Sequence, residues 1–178
     1  MRFIDLTTEF SPEQFLGNSH SGTHIDAPAY LFRDGKKIDE FKLERFLTDA
    51  AILDFTHLKP GQQIDDEDLE AAEEAAGLAL RERESVILHV PSEVRLSRNA
   101  AEYLEFKGVG LVGIDSVSID GGESEMEAHR VLLSKDVLVL EGLINLDLID
   151  ASRRFRLVSL PLKLDSAVVP VRAVAVLE

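Results

Sequence analysis

Four short, almost wholly apolar runs at residues 50–55, 86–90, 109–115 and 137–140 constrain the fold more than any other feature. Each is too short for a buried helix and is bounded by turn residues: Lys59-Pro60-Gly61 after the first, Pro91 after the second, Gly108 before the third. Continuous apolar runs of this length read as strands buried on both faces. Helical patterns separate them. Residues 65–83 begin acidic and end basic, in the sense the helix dipole favours, with Leu69, Ala72, Ala76 and Leu80 along one face and Glu70, Glu73 and Glu74 on the solvated side. Ser97 can cap a helix running through Lys107, with Gly108 closing it, and a third helix is predicted over 123–134.

Strand and helix alternating in succession predict parallel strand neighbours with helices packed against them. A first strand is expected at 3–6, an irregular or helical connection at 31–48, and two closing strands at 155–164 and 168–176. The expected fold is therefore α/β, with a mixed central β-sheet and packed helices in one domain spanning residues 1–178. A chain of 178 residues with 45% hydrophobic content is long enough to bury a proper core in that form.

Charge narrows the partners. A formal net charge of -14 argues against nucleic acid and anionic membranes, both of which need clustered Lys and Arg. No apolar stretch approaches the length of a membrane span, and the start of the chain, with Asp5 and Glu9, lacks the apolar core of a signal peptide. A cytoplasmic setting is the default expectation. With no cysteine there is no disulfide or thiolate, so any metal must use nitrogen and oxygen ligands.

Those ligand types concentrate in residues 19–30, Ser-His-Ser-Gly-Thr-His-Ile-Asp-Ala-Pro-Ala-Tyr, which hold two of the five histidines. His20, His24 and Asp26, spaced H-x3-H-x-D, suit a zinc-like divalent ion. A helix would put His20 and His24 on one face and turn Asp26 away, but Gly22, Thr23, Ile25 and Pro28 disfavour a helix. In an extended run, positions 20, 24, 26 and 30 share a face, Gly22 lets the backbone approach an ion, and Pro28 ends the strand. Spacing alone fits a polar surface loop as well. Further along, His57, His89 and Asp115 fall near the ends of expected strands, where α/β sheets build sites, although a hydrogen-bonded structural role is the commoner fate of such histidines. His129 falls in the third helix. Glu141 ends the fourth strand, next to Gly142.

His20-Ser21-Gly22-Thr23-His24-Ile25-Asp26-Ala27-Pro28 resembles the H-x-G-T-H-x-D-x-P signature of the cyclase family, which includes bacterial kynurenine formamidases and isatin hydrolases. Residues 113–118, Gly-Ile-Asp-Ser-Val-Ser, are similar to the family's G-I-D-T-P-S loop, with Val117 in place of proline. Residues 128–133 and 140–146 are similar to its H-R-x-L-L and L-E-G-L-x-N-L segments, and the closing stretches at 159–164 and 170–174 also match. The resemblance implies a swivelling β/β/α fold and two divalent ions, zinc or manganese. His20, His24 and Asp26 would hold one ion, and Asp26, His129 and Glu141 the other. It further implies hydrolysis of an aryl formamide or cyclic amide through a metal-activated water, with Glu141 assisting proton movement, in a homodimer or larger assembly.

Two departures stand out. The segment before the signature is short, which predicts a more open site or one completed by a neighbouring subunit. Tyr30 stands where the family pattern has histidine; with a reference pKa of about 10 it is a poor base and a better hydrogen-bond donor. The alternative reading of the same residues is a degenerate member that binds metal or a small ligand without turnover. An acidic structural or interaction domain without metal is the third.

Overall fold

In the structure, a computed structural model that describes residues 1–11, 13–14, 20–91, 93–122 and 125–178, the four apolar runs form four adjacent parallel strands. Ser19 and Glu123 lie outside the described residues. In chain order the strands are β1 (Arg2–Asp5), β2 (His24–Asp26), β3 (Leu47–Asp54), β4 (Gln63–Ile64), β5 (Ser85–His89), β6 (Arg95–Leu96), β7 (Leu111–Ile114), β8 (Leu138–Glu141), β9 (Phe155–Val158), β10 (Val168–Pro170) and β11 (Val174–Leu177). Three α-helices lie among the described residues: α1 (Asp66–Ala76), α2 (Arg98–Phe106) and α3 (Glu127–Leu133). Nine strands form one sheet in the order β1-β11-β9-β3-β5-β7-β8-β2-β10. The centre, β3-β5-β7-β8, is parallel, and every other pairing in this sheet is antiparallel, while β4 and β6 pair in parallel as a separate two-stranded sheet.

Period-two alternation divides the central strands between two cores. Ala51, Leu53, Val86, Leu88, Val112, Ile114 and Val139 face one side, where Leu69 of α1, Leu104 of α2 and Leu132 of α3 cover them. Ala50, Ile52, Ile87, Leu111, Leu138 and Leu140 face the other, against Ile4, Ile25, Val169 and Ala175 from the flanking strands. The sheet therefore curls over one of its own faces and carries helices on the other. The runs had to be apolar throughout because both faces are buried.

Several boundaries differ from the sequence reading, each for a local reason. The helix expected over 65–83 stops at Ala76, because Gly77 adopts φ 64° and its N–H turns back to the carbonyls of Glu73 and Glu74. Glu73 is not on a solvated face: it is buried, accepting from the Tyr103 hydroxyl at 2.5 Å, the Leu80 amide at 2.8 Å and Lys107 Nζ at 3.3 Å. The strand expected at 155–164 ends at Val158, and the run 168–176 splits into β10 and β11. Among the described residues, the third helix runs from Glu127 to Leu133.

Gly142 shows how tightly the site end of the sheet is closed. It sits at φ 71°, and a Cβ there would fall 2.7 Å from the Gly22 carbonyl oxygen. Its own carbonyl accepts from the hydroxyls of Thr8 and Thr23, each at 2.7 Å. Both contacts tie the segment before β2 to the end of β8. Gly142→Ala is expected to destabilise the protein by about 2 kcal/mol or more, since a left-handed non-glycine residue and a backbone clash add. A lowered urea midpoint at unchanged m-value would show it; an unchanged midpoint would contradict the close approach.

Candidate metal centre

The antiparallel register of β2 on β8 sets His24 directly across from Glu141. His24 and Asp26, two residues apart, point to the same side, while Ile25 between them fills the core. The extended run is shorter than expected. Only His24–Asp26 are strand; His20 comes from the preceding turn, and Pro28–Tyr30 wind into a 3-10 turn that carries Tyr30 back over the site. Gly22 approaches the Gly142 backbone. His129 enters from α3, which packs beside β8.

All five candidates meet. His20, His24 and Asp26 bring one donor atom each within 4.8 Å of one another, as do Asp26, His129 and Glu141, so Asp26 belongs to both sets. Asp26 Oδ1 lies 3.9 Å from His20 Nε2 and 3.7 Å from His24 Nε2, and Oδ2 lies 3.2 Å from His129 Nε2. Glu141 reaches His24 Nε2 at 3.4 Å through Oε2 and His129 Nε2 at 3.3 Å through Oε1. His20 is 31% exposed at the rim, whereas Asp26 is fully buried and His24, His129 and Glu141 nearly so, so the cluster is approached past His20.

Two features of this cluster fit a cation. His24 Nε2 and Asp26 Oδ1 are buried without a hydrogen-bond partner, which leaves both free to act as ligand atoms. The imidazole orientation is also fixed: His24 Nδ1 donates to the Gly22 carbonyl at 3.0 Å, leaving the Nε2 lone pair for the site. Electrostatics agree. Burial acts to lower the pKa of His129, yet its bonds to Asp120 and Asp26 and the charges of Glu141 and Asp26 outweigh that and hold it at about 10. For His24 burial likewise acts downward, but the Glu141 carboxylate 3.4 Å away and the charge of Asp26 raise the pKa overall. Carboxylates gathered out of water require compensating positive charge, which a divalent ion would supply.

Asp120 was missed in the sequence. It is buried, and its Oδ2 accepts from His129 Nδ1, while Oδ1 accepts from the Ala128 amide at 2.8 Å. The amide of its neighbour Ile119 donates to Glu141 Oε1 at 2.7 Å. The signal that was present is the turn Asp120-Gly121-Gly122, both glycines at positive φ, but nothing in the spacing joins it to His129.

Tyr30 closes the open side. Its ring lies 4.8 Å from that of His20 and 6.1 Å from that of His129, and its hydroxyl faces Met126 Sδ at 3.9 Å. Burial, then the charges of Asp26, Glu141 and Asp120, push its pKa above the ordinary phenol value, so it is a neutral donor at physiological pH.

The remaining candidates stay apart from this cluster. His57 is exposed beside Phe55. His89 Nδ1 bonds Asp115 Oδ2 at 2.5 Å, and Asp115 Oδ1 accepts from the Val90 amide at 2.8 Å, bracing the ends of β5 and β7. That bond is the main cause of a raised His89 pKa; burial opposes it, and the charges of Asp115, Asp54 and Asp147 add to it. A histidine whose folded-state pKa is raised contributes stability that is complete below its unfolded pKa of about 6.5 and is lost as pH climbs through the folded value. The melting-temperature lead of the native protein over His89→Asn should therefore be largest near pH 5.5 and shrink as pH rises. A lead that grows with pH would contradict the pairing.

Comparison with known proteins agrees with this fold. The Cyclase family model matches residues 4–121. A kynurenine formamidase of Erythrobacter litoralis is 31% identical over 83% of this chain and 68% of its own length, and one of Bacillus mycoides is 32% identical over 87% and 75%. Among solved structures, isatin hydrolase A from Ralstonia solanacearum superposes with a TM-score of 0.88 at 21% identity, over 99% of this chain and 92% of that one. The family model and the relatives at 31% and 32% identity, together with the mixed α/β fold, define the class of protein. The chain belongs to the Cyclase family.

Proposed function

We propose that this protein is a metal-dependent amide hydrolase, acting on an aryl formamide or a cyclic amide in the manner of a kynurenine formamidase. The observation that carries the reading is the convergence of four donor residues on a fifth, the shared and fully buried Asp26, with His24 Nε2 and Asp26 Oδ1 lacking any hydrogen-bond partner. In it, His20, His24 and Asp26 hold one divalent ion and Asp26, His129 and Glu141 a second, zinc or manganese being the ions that imidazole and carboxylate suit. Bound there, such ions would acidify a water and polarise an amide carbonyl. The relatives named kynurenine formamidase and isatin hydrolase support the substrate class.

The chain's own residues supply the rest. Glu141 has one oxygen held by Ile119; the other takes a proton from the attacking water and returns it to the departing amine. Tyr30 stays protonated and donates a hydrogen bond to the substrate carbonyl or leaving group. The exposed side chains of Phe3, Leu160 and Leu162 are in keeping with a homodimer, and a cytoplasmic setting follows the sequence expectation. No helix among the described residues is long and apolar enough to cross a membrane. No observation favours the non-catalytic alternative.

The test is hydrolysis of N-formylated aromatic amines and cyclic amides by the metal-loaded protein, with and without a chelator. Chelator-sensitive release of the free amine or the ring-opened acid supports the proposal. Metal-loaded protein inert toward both classes would overturn it.

A further inference from the structure

Of the groups around the metal centre, Asp120 is the one that no ligand role accounts for. It is 3% exposed, yet both of its oxygens are already taken. Oδ1 accepts from the Ala128 amide at 2.8 Å, and Oδ2 accepts from the His129 amide at 3.3 Å and from His129 Nδ1. A carboxylate accepts only, so Nδ1 must carry a proton, and the other ring nitrogen is the one left to face Asp26 and Glu141.

The neighbouring residue does the same for the second ligand. The Ile119 amide donates to Glu141 Oε1 at 2.7 Å, and its carbonyl accepts from the Leu96 amide at 2.8 Å. Its side chain is fully buried in the helix-side core. Both backbone polar groups of Ile119 are thus anchored, and the short loop after β7 reaches His129 and Glu141 at once from a fixed platform.

We infer that Asp120 is a positioning residue: it locks His129 in the tautomer that ligates through Nε2, and with the Ile119 amide it sets the half of the metal centre built from His129 and Glu141. The inference rests on the binuclear reading given above. Partners of this kind orient a ligating imidazole and raise its basicity, and removing one weakens metal binding. Asp120→Asn tests this, with the contact of Oδ2 to the His129 amide given up at the same time. The amide keeps the shape and can still accept from Ala128 through its oxygen, but turns its NH2 toward Nδ1, which favours the tautomer with the proton on Nε2.

Metal-free native protein and Asp120→Asn are titrated with zinc against a competing chelator. The native protein should take two equivalents, and the variant should hold one with native affinity and the other about 10-fold to 100-fold more weakly. In parallel, nitrogen NMR of the zinc-loaded native protein should show His129 protonated at Nδ1, a readout that does not depend on the variant folding. Two equivalents bound by the variant with unchanged affinities, or His129 protonated at Nε2 in the loaded native protein, would overturn the inference. A native protein that binds no zinc would instead overturn the metal-centre reading, and the inference with it.

Discussion

Asp26→Asn is expected to strip both ions at once and to lower kcat/KM by at least about 10³-fold, or roughly 4 kcal/mol of barrier at 1.36 kcal/mol per tenfold. Asp26 is the only donor belonging to both sets, and it has no exposure to water that would let another group replace it. An amide oxygen in its place keeps the shape but removes the charge that would hold the two proposed cations side by side. The neighbouring carboxylate, Glu141, has one oxygen held by the Ile119 amide and belongs to one donor set only, although its other oxygen lies 3.4 Å from His24 Nε2. His20 makes a useful contrast: it stands at the rim, 31% exposed, where water can take over a vacated coordination position, so His20→Ala should lose less metal. Elemental analysis alongside steady-state kinetics checks the pair. An Asp26→Asn protein that retains both ions would contradict the shared-ligand geometry.

Tyr30→Phe should reduce kcat about 10²-fold, the effect of removing one well-placed donor, with metal content unchanged. The phenol is held over the site by its ring contacts to His20 and His129, so the phenylalanine ring fills the same place and only the hydroxyl is lost. Because burial and three nearby carboxylates hold its pKa above the ordinary value, Tyr30 contributes no ionisation in the neutral range. Tyr30→His is then expected to add a limb to the pH–rate profile near the imidazole pKa of about 6.5. Full activity in Tyr30→Phe would remove Tyr30 from the chemistry and leave it a lining side chain.

The parts of this protein legible in its sequence are those with a strong local signal. The four parallel strands are apolar throughout because helices cover one face and the curled flank of the sheet the other, so length and boundary residues sufficed to find them. His24 and Asp26 share a side because two positions along a strand always do, and Glu141 falls opposite His24 at the end of β8. What escaped depends on partners distant in sequence. Glu73 reads as a surface acid until Tyr103 of α2 and Lys107 just beyond that helix close over it. Asp120 gains its place only when the loop after β7 meets α3. The antiparallel flanks β9, β11 and β1 are fixed by where β3 lies in the finished sheet, which no local pattern encodes. Helix α1 ended early on the conformation of a single residue, Gly77, inside a stretch whose charge pattern ran on to Arg83.

The most direct test of the binuclear centre is the metal content of protein purified without added metal or an affinity tag, set beside a His24→Ala, Glu141→Ala double variant. About two equivalents of a divalent transition metal per chain, lost in the double variant, is the predicted result. A native protein that holds none, even after incubation with zinc or manganese, would contradict the assignment of His20, His24, Asp26, His129 and Glu141 as ligands.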